Sequence, residues 1–209
     1  IEWAGVDPEN GDPLWYMDEE DENHNPTGKR VTTNDYGSAD YYYVNKSSLP
    51  KVYGGFNTSL SWKGFDLSAI FAYSIGGYIY NRDITMILHN GSLEGRDWST
   101  EILKRWTPDN RNTDVPALST TTNNWNSAST RFLQNNSYMR LKNLTLSYNL
   151  PKQWISKLSL SSVQVYVQGD NLFTIHRNQG LDPEQGITGI TYYRYPAMRT
   201  ISGGINVSF

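Results

Sequence analysis

The 209-residue sequence has no cysteine. That removes disulfide scaffolds and thiolate metal sites, although it leaves the redox compartment open. Charge is also scarce: 19% of residues are charged and the formal net charge is -3. Without a basic excess to neutralise phosphates, nucleic-acid binding is excluded. Long apolar runs are missing too. A membrane-spanning helix needs about 20 apolar residues, whereas the longest charge-free stretch of apolar character, 67–81, is interrupted by Gly76 and Gly77. The opening Ile1-Glu2-Trp3 is neither a signal peptide nor a methionine start. It reads as a processing boundary, and the chain as the tail of something longer.

What is abundant is aromatic or small and polar. Aromatics make up 13%, with 15 Tyr and 7 Trp, and there are 20 Asn, 20 Ser and 17 Thr. Many aromatics beside a small net charge argue against disorder.

Period-two alternation dominates, the signature of strands with one apolar face. Phe56, Thr58, Leu60 and Trp62 alternate with Asn57, Ser59 and Ser61. Lys63-Gly64, a hairpin signal, leads into Phe65, Leu67, Ala69, Phe71, Tyr73 and Ile75. Later runs set Leu144, Leu146, Tyr148 and Leu150 against Asn143, Thr145, Ser147 and Asn149, and Val163, Val165 and Val167 against Gln164, Tyr166 and Gln168. The last sets Ile201, Gly203, Ile205, Val207 and Phe209 against Ser202, Gly204, Asn206 and Ser208. Strands are therefore expected near 52–62, 65–75, 140–150, 163–173 and 200–209. Each is about 10–11 residues, the length of a tilted bilayer-spanning strand rather than the 5–6 of soluble proteins.

Short links (Lys63-Gly64 and 151–162, with one helical turn after Pro151) alternate with long ones, 4–51, 76–139 and 174–199. Outer-membrane barrels alternate periplasmic turns and external loops in this way, with aromatic girdles. A soluble β-sandwich with one wet face explains the alternation equally well, but not the uniform strand length or the loop asymmetry. Five strands cannot close a barrel, whose smallest form uses about 8. Open edges in lipid are costly, so further strands must complete the wall.

Several segments resemble the SusC/RagA family of TonB-linked outer-membrane transporters at their C-terminal end. They are Trp3-Ala4-Gly5-Val6-Asp7-Pro8-Glu9-Asn10-Gly11, Leu49-Pro50-Lys51-Val52-Tyr53-Gly54-Gly55-Phe56, Trp62-Lys63-Gly64-Phe65-Asp66-Leu67-Ser68, Arg105-Trp106-Thr107-Pro108-Asp109-Asn110, Asn136-Ser137-Tyr138-Met139-Arg140-Leu141-Lys142-Asn143 and Gly169-Asp170-Asn171-Leu172-Phe173-Thr174. The resemblance implies an all-β fold: the last antiparallel strands of a transmembrane barrel of about 22 strands, the plugged-lumen class. It also implies a plug domain and earlier strands outside this chain, contact with the TonB complex through that missing N-terminal part, and a SusD-like lipoprotein acting as a lid. The substrate class would be glycans or peptides. The location would be the bacterial outer membrane, with lipid around the barrel, no cofactor and no enzymatic chemistry. Phe209, Val207 and Ile205 resemble the terminal signal that the barrel assembly machinery reads. Two rival readings stand beside this one: a soluble carbohydrate-binding β-sandwich module, and a siderophore-type receptor without a SusD partner.

Candidate sites are few. Exposed loop aromatics can stack on sugars or contact a partner; the ligand candidates are Trp98, Trp106, Trp125, Tyr192 and Tyr193. The acidic run 18–22 lies near Asp7, Glu9 and Asp12, weak calcium candidates that lack the ligand spacing of an EF-hand loop. A solvated loop is the plainer reading there. Asp7-Pro8-Glu9-Asn10-Gly11 recurs as Asp182-Pro183-Glu184-Gln185-Gly186, good turn chemistry that also leaves a ligand site open. His24, His89 and His176 are isolated, without metal-ligand spacing. Over 94–106, Ile102, Leu103 and Trp106 suggest one face of a helix.

Overall fold

Successive side chains on a strand point to opposite faces, so the alternating runs make two-sided elements. The computed structural model describes residues 1–91, 93, 95–119, 124–184, 188–191 and 193–209. Its strands are β1 (Trp3–Val6), β2 (Pro13–Glu20), β3 (Pro26–Thr33), β4 (Val52–Trp62), β5 (Phe65–Ile75), β6 (Tyr78–Tyr80), β7 (Leu133–Asn135), β8 (Tyr138–Asn149), β9 (Ser162–His176) and β10 (Thr200–Ser208). Two short helices are α1 (Arg82–Ile87) and α2 (Lys152–Ile155). No helix among the described residues is long and apolar enough to cross a membrane. The chain divides into two units, one of residues 47–78, 135–189 and 194–209, the other of 1–46, 79–134 and 190–193.

The first unit is a five-stranded antiparallel sheet in the order β10-β9-β8-β5-β4. Lys63 and Gly64 both take positive φ, 47° and 89°, the type I′ pattern whose twist suits a two-residue hairpin. A Cβ at Gly64 would lie a tight 3.2 Å from the Tyr148 ring and the Asn149 carbonyl, and the φ of 89° is itself one that side chains rarely adopt. Register aligns like with like. Phe56 pairs with Phe71, Leu60 with Leu67 and Trp62 with Phe65. Leu67 pairs with Leu146, Leu146 with Val167, and Val165 with Ile205. Phe56 stacks on Phe71 with centroids 4.7 Å apart. One face of the sheet is thus continuously apolar, and much of it is exposed, with Leu60 at 67%.

A bulge interrupts this register. Asn143 faces Ile70 but Leu141 faces Phe71, leaving Lys142 as the extra residue. The slip moves the apolar face of β8 from Met139 and Leu141 to Leu144, Leu146 and Tyr148. On β9 the shift falls at Asn171 and Leu172, where Asn171 takes φ 52°. Bulges absorb one unpaired residue and sharpen twist. Because simple alternation stops at the bulge, β8 begins before residue 140 and β9 runs past 173.

The second unit shows that 4–51 and 76–139 are not plain loops. β1, β2 and β3 form a meander, with Trp15 fully buried and packed edge-on against Trp3 at 5.9 Å and Tyr36 at 5.2 Å. Leu88, Ile102, Val115 and Trp125 make a second small core. Of the helix expected over 94–106, Glu94 lies outside the described residues, and what forms is a 3-10 turn, Thr100–Lys104, capped by Ser99. A 3-10 turn aligns residues three apart, so Ile102 is buried while its neighbour Leu103 is exposed.

Candidate functional site

The polar face of the sheet is tied together by side-chain hydrogen bonds running across all five strands. Ser61 on β4 donates to Asp66 on β5, and Asn149 on β8 donates to the other Asp66 oxygen at 2.7 Å. Gln164 on β9 donates to Asn149 Oδ1 at 3.1 Å, and Asn206 on β10 donates to Gln164 Oε1 at 3.2 Å. A second row links Thr145 to Asn143 at 2.9 Å, and Asn143 to Asp170 at 2.8 Å. Cross-strand pairs of this kind are the unit of sheet stabilisation. Here they give a hydrophilic surface whose carboxylates are already engaged.

Further along β8 the polar face carries Arg140, whose side chain is 4% exposed. Its guanidinium donates to Asp182 at 2.5 Å, to Glu184 at 2.8 Å and to the Thr174 hydroxyl at 2.9 Å. Lys142, presented by the bulge, donates to Glu184 at 2.7 Å. Asp182 also accepts from the Ala197 amide at 2.6 Å and the Glu184 amide at 2.9 Å. Burial pushes the Asp182 carboxyl up, but the Ala197 amide, the Arg140 guanidinium and the Glu184 amide together outweigh it and hold its pKa below the ordinary 3.8. The Asp-Pro-Glu turn is thereby clamped onto the sheet. The matching turn at Asp7 has the same local bond, the Glu9 amide donating to Asp7 Oδ1 at 2.8 Å, without the arginine clamp. Gln185 and Gly186 of the second copy lie outside the described residues.

Beside this clamp a cavity of about 320 Å³ opens, lined by Ser48, Pro50, Tyr53, Ser74, Asn136 and Tyr138 among others. Asn136 donates to the Pro183 carbonyl at 2.8 Å. It accepts from Asn178 Nδ2 at 2.8 Å, while Asn178 Oδ1 is buried without a hydrogen-bond partner. The lining is neutral, with phenol, hydroxyl and amide groups. Sequence reasoning missed Arg140 and these cavity residues. The phase slip between Leu141 and Leu144 was the available signal, since it marks the bulge beside which they cluster.

The loop aromatics have different fates. Trp125 is 0% exposed and belongs to the core, so it cannot meet a ligand; this corrects its candidacy. Arg131 lies 5.1 Å from the Trp125 ring and 4.7 Å from that of Trp3, and donates to the Trp125 and Asp114 carbonyls. Burial pushes its pKa down to about 10, with the Asp114 charge opposing. Trp106 donates to the Pro8 carbonyl at 3.1 Å and acts as a brace between segments. Trp98 is exposed and donates to His89 Nδ1 at 3.2 Å. Burial, then the nearby Arg96 charge, lowers the His89 pKa, which keeps Nδ1 free to accept. Tyr193 is exposed, and its amide donates to Asp83 at 3.2 Å. Tyr192 lies outside the described residues.

Asp7, Glu9 and Asp12 do not converge. Asp7 is spent on its own turn and Asp12 accepts from Asn34 at 3.0 Å. Among the described residues no three acidic or histidine side chains could hold a metal ion.

No family model matches the chain. Similar proteins do. TonB-dependent receptor P3 of Formosa agariphila is 35% identical over 166 residues, covering 74% of this chain and 16% of the relative. TonB-dependent receptor SusC of Bacteroides thetaiotaomicron is 27% identical over 198 residues, covering 93% of this chain and 19% of the relative. The structure of the RagAB peptide transporter covers 100% of this chain and 22% of the matched chain, with a TM-score of 0.82 at 35% identity. The chain spans about a fifth of the length of the relatives it matches. Its long antiparallel strands with one exposed apolar face and one hydrogen-bonded polar face are those of such a barrel wall. The chain belongs to the SusC/RagA family of TonB-dependent receptors and is all-β, a section of a large transmembrane β-barrel.

Proposed function

We propose that the full protein is an outer-membrane importer of glycans or peptides, energised through the TonB complex and lidded by a SusD-like surface lipoprotein. The observation that carries this reading is the two-faced sheet: an exposed apolar face on strands long enough to span a bilayer, backed by a wet polar face. A soluble β-sandwich would bury the apolar face against a second sheet; here Leu60, Val167 and Ile205 stay exposed. The protein does no chemistry in this reading. Segments 4–51, 76–139 and 174–199 lie on the external side, and the neutral, tyrosine-lined cavity beside the clamped turn receives part of the substrate.

Two measurements separate the readings. Native full-length protein should be recovered only with detergent from the outer-membrane fraction; recovery in the aqueous cytosol or medium overturns the barrel. A SusD-like lipoprotein should co-purify, and its absence favours the siderophore-type reading instead. Among the aromatics, Tyr193 and Trp98 remain available to substrate. Stacking contributes about 0.5–1.5 kcal/mol per aromatic, so Tyr193→Ala should weaken uptake about 2- to 10-fold through KM, with barrel level unchanged. An unaltered KM removes Tyr193 from the substrate path.

A further inference from the structure

The short-link edge of the sheet differs chemically from the rest of the chain. Lys63 sits at the β4–β5 turn, and Lys152 and Lys157 lie in the short link between β8 and β9, all three exposed. None has an ion-pair partner among the described residues. Across 57–69, 144–168 and 201–209 the sequence has one acidic side chain, Asp66, and Ser61 and Asn149 already occupy it. Across these segments the edge is cationic in a chain whose overall charge is negative.

Two tryptophans accompany the lysines. Trp62 and Trp154 are 63% and 65% exposed, and the Lys63 ammonium lies 4.9 Å from the Trp62 ring. The Gly64 carbonyl accepts from the Asn149 amide at 2.8 Å, which brings the hairpin tip beside the start of the lysine-bearing link. Buried Ile155 anchors that link while its neighbours stay outside. The residue choice at 63 is itself informative. Its positive φ of 47° suits Asn, Asp or Gly in a type I′ turn, so lysine is a poor turn former there and turn geometry does not account for it.

Exposed indoles beside ammonium groups that have no ion-pair partner among the described residues match the headgroup layer of a bilayer, where Trp sits at the interface and Lys attracts anionic lipid. We propose that Lys63, Lys152 and Lys157, flanked by Trp62 and Trp154, form a contact for the phosphates of anionic phospholipid in the leaflet that meets the short links. This rests on the barrel-wall reading and adds to it a lipid preference.

The test uses the full-length protein in nanodiscs of phosphatidylcholine with or without phosphatidylglycerol, measuring phosphatidylglycerol retained by native mass spectrometry. Each single variant, Lys63→Asn, Lys152→Gln or Lys157→Gln, should bind phosphatidylglycerol about fivefold more weakly, and added salt should weaken wild-type binding. Lys63→Asn separates the roles, because asparagine improves the turn. In pure phosphatidylcholine this variant should be at least as stable as wild type, yet lose lipid affinity. Wild-type affinity in the variants, or equal competition by soluble inorganic phosphate, overturns the lipid contact. Failure of wild type to insert in phosphatidylcholine at all overturns the barrel reading with it, whereas insertion without a phosphatidylglycerol preference overturns this proposal alone.

Discussion

Arg140→Met should destabilise the loop clamp by about 3–5 kcal/mol, the usual result of removing one partner from a buried ion pair. The Asp182 side chain is 7% exposed, so loss of the guanidinium removes the countercharge beside a buried carboxylate that keeps its bonds from the Ala197 and Glu184 amides. Lys142 stays on Glu184. The immediate readout is limited proteolysis of the full-length protein, with new cleavage near 180–184 and a lower unfolding temperature. A second variant separates charge from packing: Arg140→Met combined with Asp182→Leu should recover much of the loss, because replacing both members of a buried pair with apolar groups is often neutral. If the single variant resists protease like wild type, the clamp does not hold this turn. The pH dependence has a defined sign. The folded pKa of Asp182 is depressed below 3.8, so its contribution is fully present above that value. It is lost as pH falls through the folded pKa, and stability near neutrality is unaffected by this group.

Deleting Phe209 from the full-length parent should lower its outer-membrane level several-fold. Phe209 is 94% exposed and follows Ile205 and Val207, which pair with Val165 and Val163 on the apolar face. Removing a side chain that is this exposed should cost little folding energy, so a large loss of assembled protein points to recognition of this strand by the assembly machinery. Phe209→Tyr should preserve assembly and Phe209→Ala should not. Normal levels of the deletion variant reduce Phe209 to an aromatic at the membrane interface.

The sheet was the most legible part of the fold, for a physical reason. Between Phe56 and Ile75 the alternation never slips, and Lys63-Gly64 supplies turn chemistry at its midpoint, so pattern and turn agree. β8 was harder because its bulge at Lys142 breaks the period, and Arg140 fell just where simple alternation fails. The second unit was nearly illegible. Trp15 finds Trp3 and Tyr36, and Trp125 finds Leu88, Ile102 and Val115, through contacts between single apolar residues spaced far apart in polar sequence. No periodic signal marks such a core. This is why Trp125 read as a ligand-binding aromatic when it is a core residue.

The two-faced wall is most directly tested by site-directed spin labelling. This chain contains no cysteine; with any cysteine outside it replaced, single cysteines are placed at 163 to 168 along β9 in the full-length protein reconstituted in bilayers. Nitroxides at 163, 165 and 167 should collide preferentially with oxygen, and those at 164, 166 and 168 with a water-soluble nickel complex. Nickel access that is equal at all six positions, or an alternation of opposite phase, would mean that the apolar face of this sheet does not meet lipid.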